Sequence, residues 1–171
     1  MILLYLDGKE IARHRYREYF LPEGNMTASA LKTHRLTMED LKKKGAKPLS
    51  RSALERLGNF LRERKDLPII AHNVKYDIDQ VLKPALKKLS LNESWLQENR
   101  WECTIKLADS RTDLVPREID KDLNSLLKHF NLEYRDPKAN HDAYIDCQKT
   151  AQLYMKLKEA SLRRARHITR S

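Results

Sequence analysis

Apolar residues recur along this chain in two rhythms, and each change of rhythm marks an element. Ile2 to Leu6 is an apolar run, Asp7-Gly8 is a tight-turn dipeptide, and Glu10 to Phe20 carries interspersed Ile, Tyr and Phe. Together these predict an opening β-hairpin. Pro22-Glu23-Gly24-Asn25 reads as a loop, and Thr37-Met38-Glu39-Asp40 has the form of a capping box, starting a short helix that Gly45 ends. From Ser50 to Arg64 the spacing becomes helical, with Ala53, Leu54, Leu57, Phe60 and Leu61 on a face expected to pack on a sheet.

Leu67-Pro68-Ile69-Ile70-Ala71 is apolar without alternation, the pattern of a strand buried on both faces in an α/β sheet. Helical spacing returns from Val74 to Leu89, where Pro84 should kink the helix or start a second segment. Trp101 to Ala108 fits strand or helix equally. Asp109 to Asp120 reads as loop, Asp122 to Phe130 as a helix through Leu123, Leu126, Leu127 and Phe130, and Asp136-Pro137 as a further loop. A final helix begins near Asp142 and is expected to bury Ala143, Cys147, Ala151, Tyr154 and Leu157. Lys156, Lys158, Arg163, Arg164, Arg166 and Arg170 then read as a frayed, solvated basic end, with 160–171 as a basic tail. No repeat, low-complexity tract or linker interrupts the pattern, so 171 residues predict one domain, 1–171, with a single core.

Charge narrows the class of partner. Lys and Arg number 34 against 24 Asp and Glu, a formal net charge of +10. That excess favours polyanions through phosphate contacts and counterion release. Cys103 and Cys147 are the only cysteines, without the short spacing of a zinc knuckle or redox motif, and are expected to be reduced, partly buried thiols. The first ten residues lack the features of a secretory signal, and no apolar run approaches a membrane span. A soluble, cytoplasmic protein is the expectation.

The candidate chemistry sits in two stretches. Asn140-His141-Asp142-Ala143-Tyr144-Ile145-Asp146 places a histidine and an aspartate five positions apart at the mouth of the last helix. Five helical steps would turn them apart by about 140°, so His141 belongs in the entering loop, from which it can face the same cleft as Asp146. Ile70-Ala71-His72-Asn73-Val74-Lys75-Tyr76-Asp77 ends an apolar run and delivers Asp77 to the first turn of another helix. A proton acceptor and hard oxygen ligands suit hydrolysis on divalent metal ions.

These residues resemble the motifs of the DEDDh branch of the DnaQ-like 3′ to 5′ exonucleases, over nearly the whole chain. That family's second motif, an apolar strand ending in His-Asn and followed by an aromatic and Asp, is matched by Ala71-His72-Asn73 and Tyr76-Asp77. Its third motif is matched by His141 and Asp146. His34-Arg35-Leu36-Thr37 is similar to the turn before the family's first helix, with Arg35 where the family usually has Gly. The resemblance implies an α/β fold of the ribonuclease H-like kind, a mixed sheet flanked by helices. It also implies metal-dependent hydrolysis of phosphodiesters at single-stranded DNA or RNA 3′ ends. Two Mg2+ or Mn2+ ions would be held by Asp77 and Asp146, with His141 as general base, His34 at the substrate, and Asn73 steadying the loop or touching the substrate. His72 would make a structural hydrogen bond. A homodimer or a polymerase partner would fit the family, and no particular residue here supports either.

One departure bears on activity. The family's first motif is an Asp-x-Glu on its opening strand, and no Asp-x-Glu occurs in these 171 residues. The expectation is a domain lacking the family's first strand, N-terminally truncated relative to the family through a start assigned too late or a gene fragment, with an exposed strand edge in consequence. The alternative is a catalytically dead module that still binds nucleic acid. Asp7 and Glu10, at a hairpin turn, are not expected to substitute for the missing pair.

Overall fold

A computed structural model describes residues 1–3, 5–6, 9–11, 16–24, 26–28, 31–32, 36–132 and 143–168, with backbone alone at residue 6 and over 160–168. Asp7-Gly8, Asn25, His34, Arg35, Asp136-Pro137, His141, Asp142 and Arg170 therefore lie outside the described residues.

Local signals account for most of the short elements. The hairpin pairs β1 (Tyr5–Leu6) with β2 (Lys9–Glu10), antiparallel. Helix α1 (Met38–Lys43) opens on a complete capping box: the Thr37 hydroxyl accepts from the Asp40 amide at 3.1 Å, and the Asp40 carboxylate accepts from the Thr37 amide at 2.9 Å. It closes in a Schellman turn, Gly45 N–H to Lys42 at 2.9 Å and Ala46 N–H to Leu41 at 3.0 Å, for which Gly45 takes φ 73°. The chain then enters β4 (Lys47–Pro48), which runs parallel to β3 (Phe20–Leu21). Ser50 caps α2 (Arg51–Arg62), its hydroxyl accepting from the Ala53 amide at 3.3 Å.

Strand β5 (Ile69–Ala71) pairs in parallel with β6 (Trp101–Cys103), Ile69 opposite Trp101 and Ala71 opposite Cys103. Parallel neighbours need a long crossover. Here it is a π-helical segment (Tyr76–Leu82), α3 (Lys83–Lys88) and α4 (Ser94–Glu98). Pro84 explains the widened turn: its ring crowds the carbonyl four residues back, and the helix answers with a five-residue step, Lys83 N–H to the Ile78 carbonyl. The ambiguous Trp101 to Ala108 stretch proves to be both things, β6 followed at once by α5 (Thr104–Asp109). Helix α6 (Leu123–His129) is capped by Asp122, and α7 (Ala143–Ile168) completes the fold.

Two cores result. Leu54 and Leu61 of α2 meet Leu86, Trp95 and Leu96 of the crossover. Gly58 permits this approach, since a Cβ there would stand 3.2 Å from the Trp95 indole nitrogen. Ala108, Val115, Leu126, Leu127, Leu153 and Leu157 form the second core, where α7 packs on α5, α6 and β5. The architecture is mixed α/β, with helices around small parallel sheets, consistent with a ribonuclease H-like fold. Among the described residues, no helix is long and apolar enough to cross a membrane.

Several expectations change, the single core first among them, since the buried side chains form two clusters. Strand β5 is half-buried along its length rather than buried on both faces. The buried face of α7 is Lys149, Thr150, Leu153 and Leu157, whereas Ala143 is exposed and Cys147, Ala151 and Tyr154 are half-buried. Two polar residues inside the true stripe disguised it, and the apolar residues beside it suggested a face rotated by about one position. Lys158 is not part of a solvated end: it pairs with Glu102 of β6 at 3.0 Å, alongside the Tyr154 hydroxyl, which donates to Glu102 at 2.8 Å. Nor does the helix fray at 160, its backbone running on to Ile168.

Leu153, fully buried, tests the corrected face. Leu153→Ala should cost about 2–5 kcal/mol in denaturant unfolding, and Lys156→Ala on the exposed side no more than about 0.5 kcal/mol. Equal effects would refute this placement of α7.

Candidate active site

Strand β5 stops at Ala71, and the next residues divide between interior and surface. Asn73 is exposed, and its carbonyl accepts from the Tyr76 and Asp77 amides at 2.9 and 3.2 Å, closing the first turn of the segment that carries Asp77. His72 turns inward. Its Nδ1 lies 2.8 Å from the hydroxyl of Thr104, a wholly buried residue, and the Cys103 thiol donates to the His72 carbonyl at 3.4 Å. These contacts tie the ends of β5 and β6 together, and His72 has the structural hydrogen bond the sequence led us to expect. Its Nε2 is buried without a hydrogen-bond partner among the described residues. Burial lowers the imidazole pKa below its ordinary value, outweighing the Lys121 backbone and the Asp122 carboxylate, which act the other way.

Asp77 is half-buried, and its carboxyl is pushed above the usual range by burial, with the ammonium of Met1 pulling in the opposite direction. The Cys147 thiol donates to the Met1 carbonyl at 3.5 Å. Met1 thus touches the first turns of α7, the helix that carries Asp146. Asp146 has the ammonium of Lys149 at 3.9 Å, and Lys149 itself is only 4% exposed. Asp79, two residues beyond Asp77, is taken up by an exposed ion pair with Lys83 at 2.8 Å.

Glu10 does not stand with Asp146. It accepts from the Tyr144 hydroxyl and the Gln148 amide, both at 3.1 Å. Those two side chains leave α7 about 200° around the axis from Asp146, so Glu10 docks β2 on the opposite side of the helix. His34 and His141 lie outside the described residues.

The donors are hard oxygens of the kind that hold Mg2+ or Mn2+. Among the described residues, however, no group of three or more His, Cys, Asp or Glu side chains is placed to hold a metal ion. Asp77 and Asp146 alone do not fit a two-metal centre.

The sequence pattern of the exonuclease family (RNase_T) matches residues 4–154, most of the chain. The chain belongs to the exonuclease family. The family is one of nucleases, whose substrate class is nucleic acid. Among curated proteins no match is found.

Two residues of this exonuclease region escaped the sequence reading. Thr104 had no signal, because its role depends on β5 and β6 becoming neighbours. Lys149 did have one: it follows Asp146 by three positions, the spacing of helical neighbours, but a lysine is ordinarily taken as solvated.

The depressed His72 pKa has a consequence for stability. Between the folded value and the ordinary one near 6.5, the unfolded chain binds a proton that the folded chain refuses. Stability should therefore fall as pH drops below about 6.5, with a slope from this group of at most about 1.4 kcal/mol per pH unit. Denaturant unfolding from pH 7.5 to 5.5 measures it. His72→Gln should flatten that dependence, and an unchanged slope would mean that His72 is not the responsible group.

Proposed function

We propose that this chain is a DnaQ-like domain of the DEDDh type, acting on the 3′ ends of single-stranded DNA or RNA. The observation that carries the reading is the packing of α7 on β5, within a family match spanning 4–154. It brings the helix bearing Asp146 against the strand that leads into Asn73 and Asp77. In this reading Asp77 and Asp146 are carboxylate ligands for Mg2+ or Mn2+, His141 is the general base, and Asn73 and His34 contact the strand. The whole of 1–171 acts as one domain.

The family's Asp-x-Glu carboxylates are not among these residues, and two aspartates give too little negative charge for two dications. The chain as it stands is therefore expected to hold a strand without cutting it. Hydrolysis should appear when an Asp-x-Glu strand is grafted ahead of Ile2. A second reading, a binding module with no latent catalysis, draws on the same absence and on the +10 charge.

A 3′-labelled oligonucleotide with Mg2+ or Mn2+ separates the two. The grafted protein should release labelled mononucleotide from the 3′ end, and Asp77→Asn or Asp146→Asn should reduce that rate by roughly a hundredfold. A graft that folds and binds strand yet never cleaves would leave only the binding module standing.

A further inference from the structure

Away from the elements that carry Asp77 and Asp146, β3, β4 and the ends of α1 and α2 enclose an open cavity of about 280 Å3. Four cations line it, Arg17, Lys44, Lys47 and Arg56, all exposed, around the ring of Tyr19, with Glu18 the one carboxylate among the described residues of the lining. Backbone devices put them there. The Lys47 amide donates to the Tyr19 carbonyl at 3.3 Å, joining β4 to the end of β3, and the Schellman turn at Gly45 directs Lys44 back over the same ring.

Tyr19 gathers the charges. The Arg17 guanidinium carbon is 5.0 Å and the Lys44 ammonium 5.4 Å from its ring centroid, and Arg17 also donates to its hydroxyl. Arg56 is neutralised by two hydrogen bonds to Glu18, at 3.0 and 3.1 Å. Arg17, Lys44 and Lys47 have no ion pair among the described residues. The N-terminal end of α2 adds to this potential, because Ser50 lines the cavity and the first turn of the helix contains no acidic residue.

Arg17, Lys44 and Lys47 outnumber the carboxylates near them, Asp40 acting on Lys44 and Glu18 being bonded to Arg56, so positive charge remains in excess and an arriving anion relieves the repulsion. The cavity is smaller than the ~300–1,000 Å3 that encloses a small molecule, and it is open and polar. An open, polar, cation-lined surface of this size suits a chain that passes over it.

We propose that this basic cleft is a docking subsite for the phosphodiester backbone of a nucleic-acid strand, with Arg17, Lys44 and Lys47 contacting phosphates and Tyr19 holding two of them in place. The subsite rests on the nucleic-acid reading above and adds a second point of grip, built from other elements than those bearing the aspartates.

Binding of a 5′-fluorescein single strand to the full chain, DNA and RNA in turn, measured by anisotropy in EDTA over a salt series, tests it. The combined variant Arg17→Gln, Lys44→Gln, Lys47→Gln should weaken binding at least tenfold near 0.1 M salt. It should also reduce the slope of log K against log salt by about 2, three phosphates at ~0.7 each. Arg17→Lys with Lys44→Arg and Lys47→Arg, which keeps the charge, should retain binding within about threefold. Removing the same charge elsewhere, through Lys87→Gln, Lys106→Gln and Lys128→Gln, should cost less than about threefold. Equal losses from both neutralised triples would mean net charge and no site. Displacement of the strand by stoichiometric adenosine monophosphate would mean a mononucleotide pocket, which overturns the proposal. Strand binding that survives the first triple sinks this subsite alone. A wild-type chain that binds no strand sinks the nucleic-acid reading with it.

Discussion

Burial of one stripe of α7 is the constraint on which the rest depends. Leu153 and Leu157 are fully buried against α5, α6 and β5, and each such leucine is worth roughly 1.5–3 kcal/mol. Once those two are seated, the rotation of the whole helix is set. Asp146, Lys149 and Thr150 lie on the same stripe one to two turns earlier, so the register that satisfies the core also buries a lysine and brings it to 3.9 Å from an aspartate. The buried stripe is apolar at Leu153 and Leu157 and polar at Lys149 and Thr150.

The junction of β5 and β6 works on the same economy of parts. Parallel pairing brings Ala71 beside Cys103, and the residues that follow in each strand, His72 and Thr104, bond to each other in the interior. A neutral imidazole suits that place, since charging it would leave a cation in a buried setting. Asp122 is held below the usual carboxylate range chiefly by its bond to Ser125, and serves as the α6 cap with its charge close to His72. With His72 facing in, Asn73 faces out, and the next turn carries the half-buried Asp77. The backbone of that turn is set in part by Pro84, which forces the π-helical step below it.

Charge is divided along the chain according to local geometry. Asp77 and Asp122 stand at the starts of the helical segments near the β5 end, whereas the β3–β4 side collects arginine and lysine around Tyr19. Each is produced by short-range devices, a capped turn on one side and a Schellman turn with a parallel strand pair on the other. Such a separation suits a protein that holds a flexible polyanion, because contact with phosphates along a strand adds affinity away from the aspartates.

The devices closed within a few residues were legible in the sequence. The capping box at Thr37, the Gly45 stop, the Ser50 and Asp122 starts and the effect of Pro84 each depend on backbone chemistry inside one or two turns, which the residues themselves carry. The order of His72-Asn73, Asp77, His141 and Asp146 was equally readable, and with it the family. Tertiary structure alone decided which strand lies beside which, and hence the His72–Thr104 bond, the dual nature of Trp101 to Ala108 and the pairing of Lys158 with Glu102. It also decided the face of α7, because a buried Lys149 and Thr150 break the apolar pattern that a one-dimensional reading follows. The basic cleft belongs to the same class: Tyr19, Lys44 and Lys47 are scattered residues until β3 and β4 pair, and no period along the chain records that they meet.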